Sequence, residues 1–134
     1  MTSTIRMITF DSRDGYALSK FWEQVTGYTE DPDDPNAPEH EENFIGPSGG
    51  HPGLLFINVP ETTKTIKNRL HLDLTPETPR DEEVERLLGV GATLVADHRT
   101  PDGTGWAVLA DPEGNEFCIL RSDAERSASE RADS

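Results

Sequence analysis

Three polar side chains alternate with three leucines in Arg69-Leu-His-Leu-Asp-Leu74. A strand sends successive side chains to opposite faces, so Arg69, His71 and Asp73 share one face and the leucines share the other. A bare core would not tolerate a cation, an imidazole and a carboxylate, and the combination suits the wall of a polar-floored pocket. There His71 can serve as general base with Asp73 orienting its ring, chemistry that fits an isomerase, epimerase, lyase or hydrolase acting on a polar carbonyl compound. The plainer reading is a histidine hydrogen-bonded to a strand neighbour such as Asp73. A second string, Asp111-Pro-Glu-Gly-Asn-Glu-Phe-Cys-Ile-Leu120, is a turn running into a strand. Pro112 presets φ at the second turn position and Gly114 lets the backbone reverse. The strand puts Glu116, Cys118 and Leu120 on one face and Phe117 and Ile119 on the other. Cys118 reads either as a small buried hydrophobe or as a thiolate that could hold zinc.

These strings need elements to hold them. In the first half, Ile5 to Phe10 reads as a strand and Asp14 as a helix N-cap. Leu18, Phe21, Trp22 and Val25 form one helical stripe, which makes Trp22 a core residue. Gly27 sits where a left-handed C′ residue is wanted. Short strands are expected near Tyr28 to Glu30 and Asn43 to Gly46, around a loop rich in Asp, Pro and Glu, with an apolar strand at Leu54 to Val59. In the second half, the strand Arg69 to Leu74 leads to Thr78-Pro79, read as an N-cap with proline at the first helical position. Val84, Leu87 and Leu88 supply the stripe, and Gly91 closes the helix. Strands follow at Ala92 to Ala96, Gly105 to Ala110 and Glu116 to Leu120. Residues 122–134 read as a polar tail, frayed or as a solvated helix.

The halves align at a shift of about 64 residues, matching Met7 with His71, Thr9 with Asp73, Asp14 with Thr78 and Gly27 with Gly91. The expected fold is α+β: two βαβββ modules, at about residues 4–60 and 67–121 of one domain spanning residues 1–121, form a curved mixed sheet around a cleft, with the helices outside. Strand parity assigns Met7, Thr9, Phe56, His71, Asp73, Trp106 and Cys118 to the cleft. Met, Phe and Trp give an adaptable apolar lining for a flat organic molecule.

The formal net charge of −14 excludes the clustered basic surface that nucleic-acid binding needs. It favours a cationic ligand, or simply keeps a solvated surface soluble. One cysteine among 134 residues points to a reducing, cytoplasmic setting. The start of the chain reads as no secretory signal, and no apolar run is long enough for a membrane span.

In combination, Phe21-Trp22, Gly27-Tyr28, Lys67-Asn-Arg-Leu-His-Leu-Asp-Leu74, Gly91-Ala92 and Asp111-Pro-Glu-Gly-Asn-Glu-Phe117 resemble the vicinal oxygen chelate superfamily, which holds glyoxalases, bleomycin-resistance proteins and extradiol dioxygenases. The resemblance covers roughly residues 4 to 121 and implies four cup-facing metal-ligand positions. Carried over, these fall on Met7, Phe56, His71 and Cys118. Only His71 is a usual ligand there; Phe56 has no donor, and the Met7 thioether suits copper(I). The resemblance therefore implies no metal and no cofactor. It favours a metal-independent small-molecule binding protein of the bleomycin-resistance type, sequestering a drug or metabolite, aromatic or cationic, as a homodimer. Its ligand contacts would be Met7, Thr9, Phe56, His71, Trp106, Glu116 and Cys118. The alternatives are an enzyme with His71 as base and Asp73 as its partner, and a metal-dependent glyoxalase or dioxygenase with the nonstandard set His71, Asp73, Glu116 and Cys118.

Overall fold

Asp14 caps the first helix, two residues past the end of the first strand, as its place before the apolar stripe predicts. Its carboxylate accepts the Ala17 N–H at 3.1 Å. A computed structural model describes residues 2–60 and 64–133 of the chain. In it, β1 (Met7–Ser12) leads to α1 (Gly15–Thr26), then to β2 (Glu42–Ile45) and β3 (Gly53–Asn58). Gly27 adopts φ 74° and closes α1, a left-handed position that glycine takes without steric cost. The strand expected at Tyr28 to Glu30 is reduced to a single bridge between Thr29 and Gly46. The long loop before β2 is held by Asn36, whose side chain accepts the Phe44 N–H at 2.9 Å and donates to the Phe44 carbonyl at 2.8 Å.

The chain divides into two units, Met1–Lys64 and Thr65–Ser134. The first carries a sheet of order β1-β3-β2, with β1 parallel to β3. Leu18 and Trp22 of α1 are 1 % exposed and pack on this sheet. The Phe10 ring lies 5.6 Å from Trp22 and 5.1 Å from Phe56. Phe10 and Phe56 are register partners, so both face the helix. Met7 and Thr9 are on the opposite face, beside Gly53 and Leu55.

The second unit continues with β4 (Leu72–Leu74), α2 (Arg80–Gly89), β5 (Thr93–Asp97), β6 (Ala107–Ala110), β7 (Glu116–Ile119) and α3 (Asp123–Asp133). Its sheet has the order β4-β7-β6-β5. Val84 and Leu87 of α2 are fully buried, as are Ala107 and Leu109, with Phe117 and Ile119 at 1 %. Asp111 closes the β6–β7 turn: its Oδ1 accepts the N–H groups of Glu113 and Asn115, each at 2.9 Å.

Three expectations are corrected. The strand at Arg69 to Leu74 shrinks to Leu72–Leu74, so Arg69 lies in the preceding segment. Thr78 does not cap α2: Pro79 holds the N-cap position without a side-chain bond, and the first N–H, that of Arg80, goes to Glu125 Oε1 at 2.7 Å. The polar tail is helical over Asp123–Asp133, with Ser134 outside the described residues. Both modules are βαβββ-like, and each forms its own mixed sheet.

Candidate functional site

Alternation along β7 turns Phe117 and Ile119 into the core and leaves Glu116 and Cys118 on the other face. Parallel pairing then sets Asp73 of β4 directly beside Cys118, and antiparallel pairing sets Val108 of β6 on its other side. His71 precedes β4 by one residue and turns back along the same face, with Nε2 3.3 Å from Asp73 Oδ1. Donor atoms of His71, Asp73 and Cys118 all lie within 4.8 Å of one another.

A hollow of about 390 Å³ opens over this group. Its far wall is aromatic. The strands β5 and β6 continue as a paired hairpin past their ends, with the His98 N–H donated to the Trp106 carbonyl at 2.9 Å. The His98 and Trp106 rings meet at 5.0 Å between centroids, tilted by 36°. The tryptophan remains 43 % exposed. Lys67, Glu116 and Leu120 complete the lining. Lys67 Nζ stands 3.7 Å from Glu116 Oε1, and the neighbouring Asn68 donates to the Asn115 side chain at 2.8 Å, which pins the segment before β4 to the turn before β7.

The Cys118 thiol is pushed up to about 11, chiefly by burial and then by its hydrogen bond to the Asp73 carboxylate. Near neutral pH it is therefore a proton-holding thiol, a donor to Asp73 and a poor nucleophile. Asp73 sits between two groups that can each give it a hydrogen bond, His71 and Cys118. That arrangement can orient an imidazole, or accept one further donor from a bound molecule.

His71, Asp73, Trp106, Glu116 and Cys118 are thus brought together within the second unit, whereas Arg69 does not line the hollow. Met7 and Thr9 share one face of β1 in the first unit. Phe56 requires a correction: it is fully buried on the helix-covered face, not on the face of Met7 and Thr9. The cause is a slip of one residue in the internal repeat. Phe10 pairs with Phe56 and its counterpart Leu74 pairs with Ile119, so the counterpart of Cys118 is Leu55. A one-residue shift flips a strand's faces. His98 was not singled out by sequence, and Lys67 only as part of the Lys67-Asn-Arg-Leu-His-Leu-Asp-Leu74 string. The available signal was Pro101-Asp102-Gly103, a turn that folds His98 onto Trp106.

Among the described residues, no helix is long and apolar enough to cross a membrane. A family model described as a glyoxalase-like domain matches residues 7–120. No curated protein sequence matches the chain. Among solved structures, it is similar to a glyoxalase/bleomycin resistance protein/dioxygenase family enzyme from Burkholderia phytofirmans, with 25 % identity, TM-score 0.66, and 87 % of this chain and 97 % of that one covered. A glyoxalase-related enzyme from Fulvimarina pelagi matches at 21 % identity and TM-score 0.62, covering 89 % of this chain and 88 % of that one. A variant of the fosfomycin resistance protein FosX from Listeria monocytogenes, solved with Mn(II) and a dihydroxypropylphosphonic acid, matches at 14 % identity and TM-score 0.64, covering 98 % of each chain. The last two likenesses concern the fold alone.

Proposed function

The chain belongs to the glyoxalase-like domain family, and from that premise we propose that it binds a small organic molecule in the hollow of its second unit without a catalytic metal ion. The observation that carries this reading is the lining. An exposed indole, braced by His98, faces a polar group of His71, Asp73 and Glu116 across about 390 Å³. A flat molecule can stack on Trp106 and give a hydrogen bond or a positive charge to the carboxylates. Sequestration of a drug or metabolite is the role this suits. The single cysteine, held as a thiol, suits a reducing, cytoplasmic setting.

The FosX variant that shares this fold holds Mn(II). A hard ion of that kind takes carboxylate, imidazole and water. His71 and Asp73 meet this requirement. Cys118 does not, since its thiol holds its proton to about 11. The residues present do not fit a hard ion. One observation favours a second reading: the three donor atoms within 4.8 Å would suit a thiophilic ion such as zinc.

A homodimer is part of the proposal. The edge strand β5 leaves Leu94 and Val95 45 % and 50 % exposed, and a symmetric partner is the commonest way to cover such an edge.

The test is a thermal-shift screen of aromatic antibiotics, aromatic amines and keto acids on untagged protein in chelator, with elemental analysis of untagged protein purified without chelator. The expected outcome is a stabilising compound whose effect is lost in Trp106→Ala and in His71→Ala, with well under one equivalent of Mn, Fe, Ni or Zn. A stoichiometric ion lost in His71→Ala would overturn metal independence. Turnover of a hit, abolished in His71→Ala, would make the protein an enzyme with His71 as base.

A further inference from the structure

Arg80 is a buried cation that the hollow does not use. Its side chain is 4 % exposed, although it begins a surface helix. One nitrogen, Nη1, donates to three consecutive carbonyls: Gly103 at 3.3 Å, Thr104 at 2.8 Å and Gly105 at 2.9 Å. Nε donates to Asp81 Oδ1 at 3.0 Å, and the same oxygen accepts from Arg99 Nη1 at 3.2 Å. Arg99 in turn grips Asp97, the last residue of β5, through two bonds of 2.8 Å. The guanidinium thus holds the return arm of the 98–106 hairpin, and Asp81 links that grip to the outgoing arm.

The hairpin's conformation makes the hold consequential. Gly105 has φ +88°, and a Cβ there would stand 2.0 Å from the His98 carbonyl oxygen. The two arms therefore run in close contact one residue before Trp106. A small movement of the 103–105 backbone would carry the indole with it and separate it from the His98 ring. A buried charge is costly unless its hydrogen bonds are met, so three carbonyls converging on one guanidinium resist displacement strongly.

We propose that Arg80 is the positioning residue for the aromatic wall of the hollow: its hold on the carbonyls of Gly103, Thr104 and Gly105 fixes Trp106 against His98. Its relevance to binding rests on the reading of the hollow given above; the hold itself does not. A lysine can reach one or two of the carbonyls but cannot bond Asp81 from a separate nitrogen, and a glutamine leaves the charge out altogether.

The experiment follows the wall directly, in full-length protein with nothing added. Wild type, Arg80→Lys and Arg80→Gln are compared by NMR, using the indole N–H signals of Trp22 and Trp106 and the ring C–H signals of His98, which the Trp106 ring displaces. Trp106→Phe assigns the indole peak and gives the His98 position without the tryptophan ring. In Arg80→Gln the His98 signals should move toward their Trp106→Phe position while the Trp22 peak stays in place, and Arg80→Lys should fall between Arg80→Gln and wild type. Folded variants with unmoved His98 and Trp106 signals would overturn the proposal. Failure of both variants to fold would assign Arg80 to folding as a whole and overturn it too. A wall that moves as expected in a protein that binds no compound in the screen would instead sink the binding reading.

Discussion

At the residue scale the chemistry centres on Asp73, which stands between an imidazole and a thiol. The Cys118 thiol, raised from 9.0 to about 11, reports on that carboxylate as well as on burial. Iodoacetamide should therefore alkylate native protein slowly at pH 8, and Asp73→Asn should accelerate the reaction by removing a charge that opposes the thiolate. The same shift sets a pH dependence of stability. The folded state keeps its thiol proton where the unfolded state loses it, so stability should fall as pH rises from about 9 to about 11. Urea unfolding across that window reads it as the extra decline of wild type over Cys118→Ala, in which the loss from Lys20 remains. A second contrast tests the face assignment. Leu109→Ala removes a fully buried side chain and should cost about 2–5 kcal/mol. His71→Ala, half exposed, should cost well under ~1 kcal/mol while weakening binding in the thermal-shift screen.

At the scale of elements, the start of α2 shows why sequence patterns mislead. Thr78-Pro79 looks like a cap, yet the first helical N–H goes to Glu125 of α3. The same Glu125 oxygen accepts the Ser122 N–H at 2.9 Å, so one carboxylate joins the starts of α2 and α3. Glu125→Ala should cost ~1 kcal/mol in urea unfolding, the usual price of a lost cap. Thr78→Ala should change stability by less than about 0.5 kcal/mol. A reversed order would show that the local cap, not the helix partner, holds α2. The polar face of α3 gives no hint of this role, because its contribution is one carboxylate and not an apolar stripe.

For the whole molecule, charge is the dominant physical fact. A net charge of −14 on 134 residues makes any association between copies sensitive to screening. The dimer should therefore tighten with ionic strength, with light scattering at tens of micromolar showing a higher dimer fraction in high salt than in low salt. A monomer mass under both conditions would remove the dimer from the proposal.

The alternation along Leu72 to Leu74, the stripe of Leu18, Phe21 and Trp22, the Asp14 cap and the Asp111-Pro-Glu-Gly turn were all readable in the chain, because each is a local pattern whose energetics lie within a few residues; residues 69–71 lie outside the strand, and Leu70 is 83 % exposed. The βαβββ repeat followed from them, and with it the family. The faces of β7 were legible, with Glu116 and Cys118 opposite Phe117 and Ile119, but the faces of β3 were not. A repeat in sequence need not be a repeat in register, and the pairing of Phe10 with Phe56 moved that residue into the core. Nor could sequence join Arg80 to carbonyls more than 20 positions away, or His98 to Trp106 across a turn. Backbone carbonyls carry no sequence signature, and a buried arginine looks like any other at a helix start. Local periodicity determined which elements form and which faces are polar; only tertiary packing decided which polar groups meet, since that depends on strand register and on backbone atoms that every residue shares.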